Sequence, residues 1–378
     1  MHVSQLNTPC LVLDTSRLAS NISRMKSHLH ALDVSLRPHM KTSKCAEVGQ
    51  VIFDGNAGPI TVSTLREAEF FADAGYRDIL YGVSITPHKL ARVKALMDRG
   101  VKVSLILDSL DAAARVCGWA ATEGAVLTLL IEIDCDGHRA GLVPDDPHVL
   151  ELAKFLATSE HADFRGFMTH GGESYNCRSV DEIRAHAALE RDAVVSCAQK
   201  VRAEGIDCPV VSVGSTPTAT FAENLDGVTE MRAGVFVFQD LFQATLGVCE
   251  PENIAVSVLA SVISHKQDQN RLIVDAGGLA LSKDRSTRDG AVDYLYGLVC
   301  DAERGQVIDN LIVEAANQEH GIISTRDGSP IDFAAFPIDS KLRILPNHAC
   351  MTAAAHSQYH TVEGDGQVGA VWQRCNGW

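Results

Sequence analysis

Eight short apolar runs, each leading towards a stretch with helical periodicity, occupy the first two thirds of this chain, and that alternation leaves few folds open. The runs cover 34–41, 60–63, 78–82, 101–107, 126–134, 164–170, 209–213 and 229–238. Over 65–74, 87–99, 110–123, 148–159 and 180–204 apolar residues recur every three or four positions, the spacing of helices with one buried face. Eight strand-helix units in unbroken series predict a closed (β/α)8 TIM barrel rather than an open, doubly wound sheet. A barrel needs roughly 250 residues, so a chain of 378 has room for a second domain.

The pattern changes near residue 251. Strands are expected over 254–265 and 271–275. Gly277, Gly278, Gly290, Gly297, Gly305 and Gly321 then cut the chain into short extended pieces, with further strands at 342–345 and 368–372. These features predict a barrel over 15–250 and a mostly antiparallel β domain over 251–378. Ahead of the barrel, the apolar run 8–14 precedes a helix whose stripe is Leu18, Ile22, Met25, Leu29 and Leu32.

The charge narrows the partners. Lys and Arg total 33 against 48 Asp and Glu, a net charge of −15, which disfavours nucleic acid and anionic membrane surfaces. No apolar run of 18 residues and no signal-peptide pattern is present, so a cytoplasmic protein is expected, with the 11 dispersed cysteines as free thiols.

Barrels do their chemistry at the carboxyl ends of their strands, and polar residues gather there. Lys41 ends the first run and is the candidate for covalent work, or else a basic strand end that pairs with a neighbouring loop. Gly214-Ser215-Thr216 follows the seventh run. It reads either as an anion cradle of backbone N–H groups and hydroxyls or as a tight strand-to-helix turn capped by Thr218. Gly234 and Val235 would complete such a cradle. Arg139, in 133–141, is a fixed cation, and His170 and Tyr175 follow the sixth run. Near the carboxyl end, Pro346-Asn347-His348-Ala349-Cys350 follows a short strand. If strand geometry persists, His348 and Cys350 point the same way and can grip one ion. An imidazole with a thiolate favours zinc, with manganese, cobalt or magnesium as alternatives, and two protein ligands leave the site open as a catalytic metal requires.

Three segments taken together resemble one family: Arg37-Pro38-His39-Met40-Lys41-Thr42-Ser43-Lys44, Val211-Ser212-Val213-Gly214-Ser215-Thr216-Pro217-Thr218-Ala219 and Ile344-Leu345-Pro346-Asn347-His348-Ala349-Cys350. They are similar to those of the fold-type III pyridoxal phosphate enzymes, in the metal-dependent branch that holds D-threonine aldolases and the D-serine and D-threo-3-hydroxyaspartate dehydratases. The resemblance runs along essentially the whole chain and implies an alanine racemase-like fold in which strand 1–14 joins the β domain. It implies that Lys41 carries pyridoxal 5'-phosphate as a Schiff base and acts as general base. Arg139, His170, Tyr175, Gly214, Ser215, Thr216, Gly234 and Val235 would hold the cofactor, and His348 and Cys350 a catalytic divalent metal.

The histidine-x-cysteine form is that of the dehydratases, whereas the aldolases generally carry histidine and aspartate. An ammonia-lyase is therefore expected, turning D-threo-3-hydroxyaspartate into oxaloacetate and ammonia. D-serine, giving pyruvate, is the alternative substrate, and aldol cleavage is less favoured. Gln318, where the branch commonly has glutamate, departs from the pattern, and Gln318, Glu319 and His320 are candidate substrate-contact or supporting groups. The resemblance also implies a homodimer.

Overall fold

The computed structural model describes residues 1–137 and 139–378, and the chain divides into two compact units. One comprises 24–234 with 375–378; the other comprises 1–23 with 235–374. The division falls at Gly234/Val235, whereas the sequence pattern suggested 250.

The first unit is an all-parallel sheet of eight strands: β2 (Ser35–Leu36), β3 (Ile60–Val62), β4 (Asp78–Ser84), β5 (Lys102–Leu107), β6 (Leu127–Ile133), β7 (Ala162–Thr169), β8 (Val210–Val213) and β9 (Glu230–Met231). β2 pairs with β9, and a parallel bridge between His39 and Thr61 joins it to β3, closing the circle. Helices α1 (Thr15–Ala31), α2 (Ala46–Ile52), α3 (Leu65–Asp73), α4 (Leu90–Met97), α5 (Leu110–Thr122), α6 (His148–Thr158), α7 (Val180–Ala203) and α8 (Thr216–Phe221) are interleaved. Their starts follow local chemistry: Thr64, Ser109 and Ser179 each accept the N–H three residues on, supplying the cap that α3, α5 and α7 need. α1 leads from one unit into the other.

Two strands are shorter than the sequence suggested. The run 34–41 is not one strand: regular pairing covers only Ser35–Leu36, because Pro38 has no N–H to give. The chain nevertheless stays zipped. Arg37 and His39 donate to the carbonyls of Met231 and Ala233 (2.9 and 2.7 Å), and Met40 donates to Thr61 (2.8 Å). Lys41 therefore lies in a turn just past the His39 bridge. The run 229–238 also stops early, at Met231. Gly234 then passes so close to the first strand that a Cβ there would lie 2.8 Å from the His39 carbonyl oxygen, and 235–237 is a 3-10 turn.

The second unit is a nine-stranded sheet built from β1 (Cys10–Asp14), β10 (Val256–Lys266), β11 (Arg271–Val274), β12 (Leu298–Asp301), β13 (Val307–Ala316), β14 (Gly321–Thr325), β15 (Lys341–Leu345), β16 (Gln358–Val362) and β17 (Val368–Gln373). Six of these, in the order β10-β11-β14-β13-β12-β15, return to β10 as an antiparallel ring. β1 pairs antiparallel with β10 and parallel with β16, so the first strand of the chain is built into the sheet formed by the last strands. Short helices α9 (Leu241–Thr245), α10 (Gly278–Leu281) and α11 (Ala349–Ala354) interrupt it. Leu241, Ile254, Leu298, Cys300, Ile312 and Leu345 form one core cluster, and Val3, Leu6, Val12, Leu259 and Val362 another. Among the described residues no helix is long and apolar enough to cross a membrane.

Candidate active site

The octapeptide 37–44 separates into residues with different tasks. Arg37 is structural: its guanidinium is paired with Asp78 (2.8 Å) and Glu230 (2.7 Å). Lys44 is also committed, its ammonium lying 3.2 Å from the fully buried Glu67 carboxylate. That carboxylate in turn accepts the Ser63 N–H (3.0 Å) and the Thr64 hydroxyl (3.2 Å). Lys44 is thus paired with a neighbouring element, and Lys41 is exposed at the carboxyl end of the strands.

Around Lys41 the mouth is cationic. His39 is held well below the ordinary histidine range by burial, then by the charges of Lys41, Arg232 and Arg139. His170 is lowered in the same way by burial, Lys41 and Arg139. Its Nδ1 lies 2.7 Å from the Gly214 carbonyl, so Nδ1 carries the proton of a neutral ring. Tyr175 closes the 3-10 turn Gly172–Tyr175, its ring centroid 6.3 Å from that of His170. Arg139 is exposed; the adjoining His138, part of the same loop motif, lies outside the described residues.

Gly214-Ser215-Thr216 forms the tight strand-to-helix turn, with Ser215 rather than Thr218 as the capping residue of α8. Gly214 has φ +139°, and a Cβ there would lie 2.1 Å from the Arg232 carbonyl oxygen, so only glycine fits. Ser215 caps α8 in a reciprocal box with Thr218 (3.2 and 3.0 Å), and its hydroxyl also meets that of Ser174 (2.8 Å). The Gly214 N–H donates to Glu190 (2.9 Å). These two amides therefore organise the loop. Thr216 and Gly234 lie in the barrel unit, and Val235, buried, starts the 3-10 turn 235–237 of the other unit.

Glu190 was not singled out from the sequence. One of its oxygens, Oε1, accepts from both Gly171 (2.6 Å) and Gly214 (2.9 Å), tying the loops after β7 and β8 to α7. Burial raises its pKa against those hydrogen bonds. A signal existed: Ile183, Ala187, Val194, Cys197 and Val201 make the buried stripe of α7, and Glu190 occupies a place in it.

In the other unit, His348 and Cys350 do meet, but not through strand geometry. β15 ends at Leu345; His348 is the residue before α11, and Cys350 is in its first turn. Asp240 secures that turn, accepting the Ala349 N–H between the two (2.9 Å) and the Gln243 N–H (2.9 Å). His348 Nδ1 lies 2.8 Å from Asp284 Oδ2. Burial opposes charge on this imidazole, but its hydrogen bonds to Asp284 and Cys350 and the charges of Cys350 and Asp240 raise its pKa to about 11. Asp284 is lowered to about 2, first by its bond to His348. Among the described residues no cluster of three or more His, Cys, Asp or Glu is arranged to hold a metal, so the pair stands as two donors. Gln318, Glu319 and His320 are exposed on the β13–β14 turn, with Gln318 3.4 Å from Glu319.

Comparison with known proteins gives the family. The family described as "Alanine racemase, N-terminal domain" matches residues 13–241, and that described as "Putative serine dehydratase domain" matches 255–362. The chain is 46% identical over 376 residues to D-threo-3-hydroxyaspartate dehydratase of Delftia sp. (strain HT23), covering 99% of this chain and 98% of that one. The chain belongs to the metal-dependent fold-type III pyridoxal phosphate enzymes of the D-threonine aldolase and D-serine dehydratase branch. It is also 34% identical to a D-serine dehydratase of Dictyostelium discoideum, over 97% of this chain and 96% of that one. The solved structure of the Delftia enzyme superposes with a TM-score of 0.96 at 45% identity over the full length of both chains.

The residues present fit the groups this branch uses. Lys41 is exposed in a mouth where cations and two neutral imidazoles favour an anionic cofactor such as pyridoxal phosphate. An imidazole and a thiol linked by a hydrogen bond are a donor set for a borderline or soft divalent ion.

Proposed function

We propose that this chain is a pyridoxal phosphate- and divalent metal-dependent dehydratase that converts D-threo-3-hydroxyaspartate to oxaloacetate and ammonia. The end-to-end 46% identity to the Delftia enzyme carries this reading, supported by the exposed Lys41 and the His348–Cys350 pair.

Lys41 would hold the cofactor and, with its amine free, would take the Cα proton of the substrate. Pyridoxal phosphate, when bound, supplies the conjugated ring that stabilises negative charge at Cα. Neutral His170, oriented by the Gly214 carbonyl, and Tyr175 border the cofactor, while Arg139 supplies positive charge to a substrate carboxylate or the ring oxygen. Thr216, Gly234 and Val235 would hold the phosphate, while Gly214 and Ser215 shape the loop with Glu190 and Thr218. His348 and Cys350 would hold the metal, zinc before manganese, cobalt or magnesium, and the ion would supply Lewis-acid assistance to departure of the 3-hydroxyl. Lys44, committed to Glu67, is not assigned to the substrate's second carboxylate. Gln318, Glu319 and His320 are assigned to the approach of substrate. A homodimer and a cytoplasmic location belong to the same reading, and sedimentation of active enzyme showing a monomer would remove the former.

The deciding assay incubates holoenzyme and metal with D-threo-3-hydroxyaspartate, its erythro isomer, D-serine and D-threonine, and measures oxo acid, ammonia, glycine and aldehyde together. Oxaloacetate and ammonia from the first are expected. Preferential pyruvate from D-serine transfers the assignment to D-serine dehydratase, for which the 34% identity to the Dictyostelium enzyme speaks. Glycine with an aldehyde as the main products would defeat both. Chelation is expected to stop elimination while the bound cofactor's visible absorbance persists.

A further inference from the structure

The loop 282–295 is fastened to the turn that carries His348. The buried Asn347 donates through its side-chain nitrogen to the Thr287 hydroxyl (2.8 Å) and the Leu295 carbonyl (2.8 Å), and its side-chain oxygen accepts the Thr287 N–H (3.2 Å). All three polar hydrogens or oxygens that this amide offers are thus spent on holding the loop in place. The loop delivers Asp284. Its Oδ2 lies 2.8 Å from His348 Nδ1, and its Oδ1 accepts both the Ser286 N–H (2.8 Å) and the Ser286 hydroxyl.

We infer that Asp284 is a positioning residue for the metal pair: by accepting the Nδ1 proton of His348 it fixes the imidazole in the tautomer whose bare Nε2, with the Cys350 sulfur, binds the ion. This rests on the assignment of His348 and Cys350 as metal ligands. A ligating imidazole offers the metal one nitrogen, and the hydrogen bond at the other decides which.

Ser286 makes the inference specific. In Asp284→Asn the side chain keeps its shape but has a single oxygen, and both Ser286 donors claim it. The amide NH2 then faces His348 Nδ1, keeps the ring proton on Nε2 and blocks the ligand atom. An aspartate that only packed the loop would tolerate this change, because the Ser286 bonds survive it.

The test strips metal from the wild type, D284N, D284A and H348A. Zn2+ affinity is then measured by competition with a chromophoric chelator. Absorption bands of the Co2+-loaded proteins provide a second readout, and melting of the metal-free proteins checks the fold. D284N and D284A are expected to bind zinc about 10–100-fold more weakly than wild type, with altered Co2+ bands and a metal-free melting that stays cooperative but falls with loss of the Asp284–His348 pair; H348A is expected to lose the site. D284N with wild-type affinity and bands, alongside loss in H348A, overturns the inference and leaves the ligand assignment standing. Unchanged metal binding in H348A overturns the ligand assignment, and the inference with it. Should D284A fail to fold, the isosteric D284N carries the same two outcomes.

Discussion

At the barrel mouth, His39 and His170 lie among Lys41, Arg139 and Arg232, and burial together with those cations drives both imidazoles well below the ordinary histidine range. In the β unit His348 is half-buried, yet Asp284, Cys350 and Asp240 raise it to about 11. The same side chain is tuned in opposite directions by the sign of its neighbours. A mouth that expels protons from its histidines has positive charge to spare and suits an anionic group. A pair whose carboxylates draw positive charge onto the ring suits a metal cation, which takes the proton's place.

The largest expected effect breaks the comparison into its halves. Lys41→Ala should lower elimination by about 10²–10⁴-fold or more, the usual loss for a general base, and abolish the visible absorbance of bound cofactor while metal uptake stays intact. His348→Ala should do the reverse. Absorption spectroscopy and metal analysis on the two variants check this, and loss of both groups in either variant would mean the two regions are not separable.

Next comes the contrast between the two lysines of one motif. Lys44→Ala leaves the fully buried Glu67 without its cation and should cost about 3–5 kcal/mol of stability. Lys41→Ala, at an exposed position, should shift stability by no more than about 0.5 kcal/mol. Urea unfolding of the metal-free, cofactor-free variants compares them directly.

The depressed histidines set a pH dependence. An unfolded histidine takes up a proton near pH 6.5, whereas folded His39 and His170 stay neutral until well below that. The unfolded state therefore binds more protons as pH falls through 6.5. Stability, fully present above that value, should decline by up to about 1.4 kcal/mol per pH unit for each histidine. Unfolding midpoints of the cofactor-free protein between pH 7.5 and 5 should show this slope, and the double variant His39→Gln/His170→Gln should reduce it to what His356 and His360, also lowered by burial, contribute. The smallest effect is expected at exposed Gln318: Gln318→Glu should leave stability within about 0.5 kcal/mol, and a change in KM without a change in melting would place it on the substrate's approach.

Much of the barrel was legible because each buried parallel strand is a compact apolar run and each helix carries a stripe. The exceptions have local causes. Pro38 removes a donor from the first strand, and the close passage of Gly234 against His39 ends the last. β12, β13, β14 and β16 went unread because strands such as Val307–Ala316 mix Asp309, Asn310 and Glu314 with apolar residues and contain register shifts, which blurs the two-residue period. In the site, Glu190 left a trace as a carboxylate in an apolar stripe. Asp284 and Asp240 left none, being ordinary loop aspartates until the chain folds.

The sequence by itself determined which reactive groups the chain owns: a lysine past a barrel strand, a glycine that alone fits its turn, and a histidine and cysteine two positions apart. Those follow from residue type and local spacing. Tertiary structure decided how each behaves. How far a lysine is buried, and whether a histidine is neutral or charged, depends on partners brought from far along the chain. Glu67 reaches Lys44 across the next strand, and Asp284 reaches His348 from 64 residues away. Protonation and hydrogen bonding act over a few ångströms, and only the fold brings such distant residues that close.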